Sequence, residues 1–304
     1  MSIDSRQDEF PCLTAERYDF LNELEADTSL LEPEQMRERL DVLDALDAGF
    51  ADLGLRTFKK DTDERIHHRA QAIRARLEAI NAELYQSVRS EILHGASRHI
   101  LLQWIQDSAS REERENPAPG FAYDYRDELL SGILQLREPS VANPHPAREM
   151  VFYQPTPVRH ILRLVAASAL SEADVFVDLG SGLGHVPLLA SMLTGVRSFG
   201  IEVEAAYVAS AQECGQSLQQ SRVHFIHEDA RTADLFAGTV FYLYSPFTGS
   251  ILADVLDRLR RESARRPIKI CTLGPCTCTV AMCSWLKASA LPDPDQITVF
   301  RPGF

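Results

Sequence analysis

The 304-residue chain contains no uninterrupted apolar run long enough to span a bilayer, and it does not begin with a basic segment followed by an apolar one. These absences argue against membrane insertion and against export, so we expect a cytoplasmic protein with no membrane partner. Long polar tracts are absent as well, and 45% of the residues are apolar. A chain of this length and composition is expected to bury a large core and to form two domains.

Cysteine is scarce, with six residues in the whole chain, and four of these lie at positions 271, 276, 278 and 283. So few cysteines in a chain of this size do not form a disulfide framework. Their spacing lacks the paired C-x2-C elements of zinc sites, and Cys271 falls inside a predicted buried strand. We therefore expect small buried thiols and no metal site.

Basic residues are outnumbered by acidic ones, which leaves a net charge of -13. Residues 1–120 carry 25 acidic and 15 basic side chains, and the remainder carries 19 and 16. Because a negative field repels phosphate backbones, we expect no nucleic-acid partner. Such a field would attract a basic protein or a cationic small molecule. The simpler interpretation, which we favour, is that acidic helix faces keep the protein soluble.

Residues 14–106 show helical periodicity and no strand-like alternation. One helix is predicted to begin at Pro33 and to end near Gly54, since proline favours the first helical position and glycine the end. A longer helix is predicted to begin at Asp61, in a capping pattern that leads into a long apolar stripe. We expect these two helices to pair antiparallel, with a third, around residues 100–105, packed on them.

A charged and then proline-rich segment at residues 108–120 is typical of a linker. It divides the chain into an N-terminal helical domain at residues 1–116 and a second domain at residues 117–304. The helices are expected to bury their own stripes in a small bundle. The alternative is an interface for a homodimer or a docking arm for a substrate.

The sequence D-L-G-S-G-L-G at residues 178–184 follows the apolar strand 175–177 and precedes an apolar helix. Its glycines allow a tight turn that brings backbone N–H groups close to a ligand. The third glycine comes one residue too early for a dinucleotide fingerprint, and His185 occupies the position that the fingerprint reserves for glycine. Asp178 would repel a pyrophosphate but can accept a hydrogen bond from the ammonium of an amino-acid tail, directly or through water. The pattern therefore predicts an S-adenosylmethionine site.

Acidic residues follow the second and third predicted strands, and aromatic and hydroxyl side chains follow the fourth. Glu202, about 20 residues beyond the glycines, is placed to bind the ribose hydroxyls, and Asp229 with Ala230 is placed beside the adenine. The fourth strand is followed by Tyr244, Ser245 and Phe247, which we expect to face the reacting methyl group.

Strand and helix alternation predicts an α/β fold, a doubly wound, mostly parallel Rossmann-like sheet. A fifth strand, at residues 268–273, and a last one, at 296–300, complete the pattern. The closing antiparallel pair is either trimmed or includes an irregular strand within residues 287–292.

Residues 150–247 resemble class I S-adenosylmethionine-dependent methyltransferases. Histone lysine methyltransferases of the disruptor-of-telomeric-silencing type carry a Y-x-x-T ahead of D-L-G-S-G, and here that pair is Tyr153 and Thr156. Related bacterial and mitochondrial protein-lysine methyltransferases have a similar Tyr-x-Pro-Thr-Pro segment. The resemblance implies that Tyr153 and Thr156 close over the methionine end of the cofactor. It further implies that four residues of the glycine turn hold the main-chain atoms of the cofactor's methionine part. These residues are Asp178, Gly180, Ser181 and Gly182.

The segment after the fourth strand departs from both related patterns. The histone enzymes have an asparagine pair where this chain has Tyr244 and Ser245, and enzymes that methylate bases usually have one proline more than Ser245-Pro246-Phe247. An aromatic channel of Tyr153, Tyr244 and Phe247 would lower the pKa of an incoming lysine by desolvation, and Ser245 would orient the acceptor. We therefore expect N-methylation of a protein side chain, lysine first. Methylation of a small amine or hydroxyl compound, or a catalytically reduced scaffold acting through its helical domain, remains an alternative.

Overall fold

The computed structural model describes residues 10–54, 61–106, 121–137, 149–151 and 153–303. Contacts within the chain form two compact units, Met1–Ser87 and Val88–Phe304. The predicted domain boundary at residue 116, and the predicted linker around it, lie outside the described residues. In the described part of the chain, no helix is long and apolar enough to cross a membrane.

The first unit is helical, as the apolar periodicity predicted. It contains α1 (Phe10–Ala26), α2 (Met36–Gly54) and most of α3 (Asp61–Glu91). Two 3-10 turns, Ser29–Leu31 and Pro33–Gln35, lead into α2, so the predicted start at Pro33 is a 3-10 turn and the α-helix begins three residues later. The apolar stripes meet in one core formed by Leu21, Leu30, Leu46, Phe50, Ile66, Ala70, Ile73 and Leu77.

One buried charge joins the turns to this core. Arg39 is fully buried, and its guanidinium donates to Asn81 Oδ1 at 2.7 Å and to the carbonyls of Leu30 and Pro33, each at 3.0 Å. A buried guanidinium is tolerated only when its N–H groups are satisfied in this way. The backbone carbonyls around the two 3-10 turns therefore take part in fixing the start of α2.

The second unit surrounds a seven-stranded sheet. Its helices are α4 (Ser97–Gln106), α5 (Tyr125–Leu134), α6 (Val158–Ser168), α7 (His185–Thr194), α8 (Ala205–Ser217), α9 (Gly249–Ser263) and α10 (Cys276–Ala281). Its strands are β1 (Val175–Leu179), β2 (Arg197–Glu202), β3 (Val223–His227), β4 (Val240–Tyr244), β5 (Lys269–Leu273), β6 (Leu286–Ala288) and β7 (Thr298–Pro302). Helix α4 packs against α7.

The strand order is β3-β2-β1-β4-β5-β7-β6, with β1 to β5 parallel and β7 antiparallel to both of its neighbours. This confirms the predicted doubly wound, mostly parallel sheet. The closing pair is present, because the short strand β6 pairs with β7. An irregular strand was expected within residues 287–292. β6 begins one residue before this segment and ends at its second residue.

The two faces of the sheet have different neighbours. Val177 and Leu179 of β1 and Leu243 of β4 share a core with the apolar side of α9, while the opposite face of β1 packs against α7. β1 lies at the point where the strand order reverses, since β2 and β4 flank it on opposite sides. In parallel sheets, ligands bind at the carboxyl ends of the strands beside such a point.

Candidate functional site

A cavity of about 560 Å³ opens at the carboxyl edge of the sheet. Every predicted site residue except Gly182 lines it. Gly182 lies directly beneath the ring of Tyr153, where an added Cβ would come within 2.0 Å of a ring carbon. The structure thus brings together side chains that five separate segments of the sequence contribute.

The glycine turn hydrogen-bonds within the protein. The amides of Gly180 and Ser181 both donate to the Ile201 carbonyl, at 2.8 and 3.1 Å, and Gly182 donates to Glu202 Oε2 at 2.9 Å. Gly184 donates to the Ser181 carbonyl. The sequence predicted N–H groups aimed at a ligand, and these four are instead already bonded. These four amides are therefore not available to cradle a phosphate.

Asp178 is the buried carboxyl of the site, with 3% of its surface exposed. It lies on β1 opposite Tyr242 of β4. Burial, reinforced by the negative charge of Glu202, raises the pKa of Asp178 well above its usual range. A cationic ligand group in the cavity would favour the ionised form of this carboxyl.

Glu202 has a structural task besides its predicted contact with the ribose. Its carboxylate accepts from three backbone amides, those of Gly182, Val203 and Glu204, at 2.7 to 2.9 Å. A carboxylate has about four lone-pair positions, so one remains for a ligand hydroxyl. Glu202 therefore ties the glycine turn of β1 to the end of β2.

Asp229 lies at the edge of the cavity, held by Arg231. Three hydrogen bonds from the guanidinium and one from the Arg231 amide fix its side chain, and the pair lowers the pKa of Asp229. The neighbouring carbonyl of Ala230 accepts from Arg258 at 2.8 Å. The predicted adenine end of the site is thereby built into a fixed loop.

Two side chains that the sequence prediction missed support the segment above the turn. His185 Nδ1 lies 2.9 Å from the hydroxyl of Tyr153, and the buried hydroxyls of Thr156 and Tyr242 lie 3.2 Å apart. Tyr242 could have been found from the period of two in a strand, which places it on the same face as Tyr244. His185 had a signal too, since it replaces glycine in the fingerprint.

The predicted acceptor side is aromatic. Tyr244 is half-buried, its ring centroid lies 5.6 Å from that of Phe121, and burial raises its pKa to about 12. Phe247 is buried and pairs with Met150 in an antiparallel bridge.

Ser245 has a positive φ of 44°. Its hydroxyl, which was predicted to orient the methyl acceptor, forms hydrogen bonds within the protein. The oxygen accepts from the Cys276 amide at 2.9 Å, and the hydroxyl donates to the Leu273 carbonyl. The proton of the hydroxyl is therefore engaged within the protein, and one lone pair remains for an acceptor.

Comparison with known proteins agrees with this geometry. Residues 149–233 match the family model described as "Histone methylation protein DOT1". The second unit has the fold of class I S-adenosylmethionine-dependent methyltransferases. The predicted enzyme class, a methyltransferase, is confirmed.

Solved structures with a similar fold include an RNA methyltransferase from Salinibacter ruber in complex with S-adenosyl-L-homocysteine, 25% identical over 50% of this chain and 95% of that chain, with a TM-score of 0.41. Methyltransferases from Geobacter sulfurreducens and Thiobacillus denitrificans, with the same ligand, are 26% and 23% identical. Each match spans 38% of this chain and 47% of the other, with TM-scores of 0.33 and 0.32. A search of curated proteins gave no significant match.

The cavity suits S-adenosylmethionine, the predicted cofactor. Five carboxylates and one guanidinium line it, which favours a sulfonium cation with an ammonium-bearing tail. The bonded amides of the turn suit a ligand without phosphate. Among the described residues, no group of three or more histidine, cysteine or acidic side chains could hold a metal ion.

Residues 149–151 form one wall of the cavity, fixed by Glu149. Its carboxylate accepts from the Ser250 hydroxyl at 2.7 Å and the Ile251 amide at the start of α9, and these bonds lower its pKa. The backbone of the same segment pairs with residues 246–248, through Val151 N to the Pro246 carbonyl and Thr248 N to the Glu149 carbonyl.

Replacing Glu149 with alanine is expected to speed hydrogen exchange at residues 149–151 and 246–248 by about fivefold, because the hydrogen bonds to the start of α9 are lost. Hydrogen exchange read by mass spectrometry measures this. Glu213→Ala, an exposed acid on α8, is the control and should leave both segments unchanged. Unaltered exchange in Glu149→Ala would show that the backbone pairing alone holds the segment.

Proposed function

We propose that the methyltransferase domain transfers the methyl group of S-adenosylmethionine to the side-chain nitrogen of a protein, with lysine as the first candidate. The observation that carries this proposal is the aromatic exit of β4, where Tyr244, Phe121 and Phe247 line the cavity that also contains Asp178. The match to a histone-methylation family over residues 149–233 supports the same acceptor class.

The chemistry places few demands on acid or base groups. Methyl transfer from a sulfonium is an in-line displacement, so the protein must align the nucleophile behind the methyl and exclude water. A lysine ammonium must first lose its proton, and aromatic walls lower its pKa by desolvation. Tyr244 is a neutral phenol at physiological pH, because its pKa is raised to about 12. It therefore acts as a wall and a hydrogen-bonding group, and water takes the proton.

The charge around the cavity favours a basic acceptor. The carboxylates that line it greatly outnumber the single guanidinium, and Glu149 adds a further acid beside the wall. This field attracts a cationic side chain and repels a phosphate backbone. A protein acceptor is thus favoured over a nucleic acid, and a small cationic amine is the second candidate by the same argument.

The test is to incubate the protein with methyl-labelled S-adenosylmethionine and a proteome extract. We expect label in protein bands, with acid hydrolysis releasing methylated lysine. Asp178→Asn serves as the cofactor-binding control and should give no label, whereas Glu213→Gln should label as the wild type does. Label found only in small molecules would contradict the proposal and support the second candidate.

Tyr244→Ala is expected to lower kcat/KM for the protein acceptor at least tenfold, because it opens the channel to water and removes a wall. Tyr244→Phe keeps the ring and should retain most of the activity. Cofactor affinity, measured separately by calorimetry, should change less than twofold in both variants. Equal losses in the two variants would mean that the hydroxyl, and not the ring, carries the contribution of Tyr244.

A further inference from the structure

The ring of Tyr153 is held by contacts from three directions. One edge lies against Gly182, as the 2.0 Å approach to an added Cβ there shows. The ring of Tyr207 on α8 packs beside it, with centroids 5.2 Å apart at 48°. Its hydroxyl forms a hydrogen bond of 2.9 Å with Nδ1 of His185. All three of these tyrosine and histidine side chains line the cavity.

Only one of these contacts is directional. Tyr153 lies in a segment without helix or strand, so its side chain is not placed by regular backbone structure. Packing against Gly182 and Tyr207 restricts the plane of the ring but sets its position only loosely, because aromatic pairs are favourable over a broad range of centroid distances. A hydrogen bond sets both distance and direction. The bond to His185 therefore gives the ring a defined distance and direction over the glycine turn.

His185 is well suited to serve as the fixed partner. It is the first residue of α7 and follows Gly184, whose φ of 86° makes the sharp entry into the helix. An added Cβ at Gly184 would lie 2.5 Å from the ring of Phe225, so the turn that carries His185 is closely packed from behind. Glycine at position 185, as in a dinucleotide fingerprint, would leave the Tyr153 hydroxyl without this partner.

We infer that His185 is a positioning residue of the methyltransferase site, which holds Tyr153 over the glycine turn and so shapes the cavity for the methionine end of the cofactor. Burial lowers the pKa of His185 to about 4, so the ring is neutral at physiological pH and offers one acceptor and one N–H. The inference rests on the cofactor and not on the identity of the methyl acceptor.

The test is a double-mutant cycle read as the Kd for S-adenosylmethionine by calorimetry. His185→Leu and Tyr153→Phe are each expected to weaken binding about fivefold, the loss of one hydrogen bond. If both act through that bond, the double variant should bind no more weakly than the weaker single variant. His185→Asn can place an amide near the position of Nδ1 and should restore the affinity to within twofold of the wild type.

Three results would overturn the inference. The first is an affinity of His185→Leu within twofold of the wild type. The second is a double variant whose loss is the product of the single losses, which would mean that the two side chains act independently. The third is no rescue by His185→Asn. Should His185→Leu unfold, Tyr153→Phe in the wild-type and His185→Asn backgrounds gives the same comparison. An absence of binding by the wild type would refute the cofactor assignment, a result distinct from failure to find an acceptor.

Discussion

Replacement of Asp178 with asparagine is expected to weaken the binding of S-adenosylmethionine about a hundredfold and, at the same time, to stabilise the free protein. The buried carboxyl lies near Glu202, and its raised pKa shows that ionisation is unfavourable in the fold. Asparagine removes that cost but cannot neutralise the cationic tail of the cofactor. We expect a gain in the free energy of unfolding at neutral pH of about 0.5 to 2 kcal/mol, the usual size for a single stabilising substitution. Calorimetric titration and urea unfolding measure the two effects.

The pH dependence identifies Asp178 as the source of both effects. The pKa of Asp178 in the fold lies above its unfolded value, so this residue destabilises the fold at high pH. The penalty shrinks as pH falls below the raised pKa, and it is gone below the unfolded pKa, where both states are protonated. The stability difference between variant and wild type should therefore shrink as pH falls. Cofactor affinity of the wild type should rise with pH up to the raised pKa, because the cation binds the carboxylate form, and Asp178→Asn should lack this rise.

The control is Glu213→Gln, which also removes one negative charge but lies exposed on α8. It should change neither quantity by more than about 0.5 kcal/mol, as is usual for exposed positions. A destabilised Asp178→Asn protein would mean that the carboxyl makes indispensable hydrogen bonds within the fold. Unchanged affinity would remove Asp178 from the cofactor site.

Gly182→Ala is expected to abolish detectable cofactor binding and to destabilise the protein by about 2 to 4 kcal/mol. The glycine has a φ of 52°, and its added Cβ would lie 2.0 Å from the Tyr153 ring. A non-glycine residue at positive φ costs about 1 kcal/mol or more, and the clash forces Tyr153 away from His185. Thermal unfolding and calorimetric titration are the measurements.

Gly49→Ala provides a matched control, since Gly49 lies in α2 and an added Cβ there would meet nothing within 4 Å. This substitution should stabilise the protein by about 0.5 to 1 kcal/mol, because alanine is the better helix former. A stabilising effect at Gly49 and a destabilising effect at Gly182 would show that the local environment determines how a glycine-to-alanine change affects stability. Normal cofactor binding by Gly182→Ala would mean that the Tyr153 ring moves without consequence.

The contrast between Ser245 and Tyr153 shows where prediction from the sequence stops. Both were expected to serve the ligand, Ser245 from its place after the fourth strand and Tyr153 from the resemblance to known methyltransferases. The hydroxyl of Ser245 bonds to the ends of β5 and α10, whereas the ring of Tyr153 lies over the glycine turn. For Ser245 and for Tyr153 alike, the prediction used only the type of residue and its place in a sequence motif. Only the neighbours contributed by other segments separate the two roles.

The sequence by itself determined the strand-turn-helix around Asp178, the acids at the ends of β2 and β3, and the parallel sheet. These follow from local periodicity, from glycine at positive φ, and from the rule that parallel strands bring their carboxyl ends to one edge. The tertiary structure alone decided that Glu202 satisfies the turn amides, that His185 holds Tyr153, and that Tyr242 meets Thr156. These partners lie 20 to 86 residues apart in the chain. Hydrogen bonds depend on distances of a few tenths of an ångström between such segments, which local patterns do not encode.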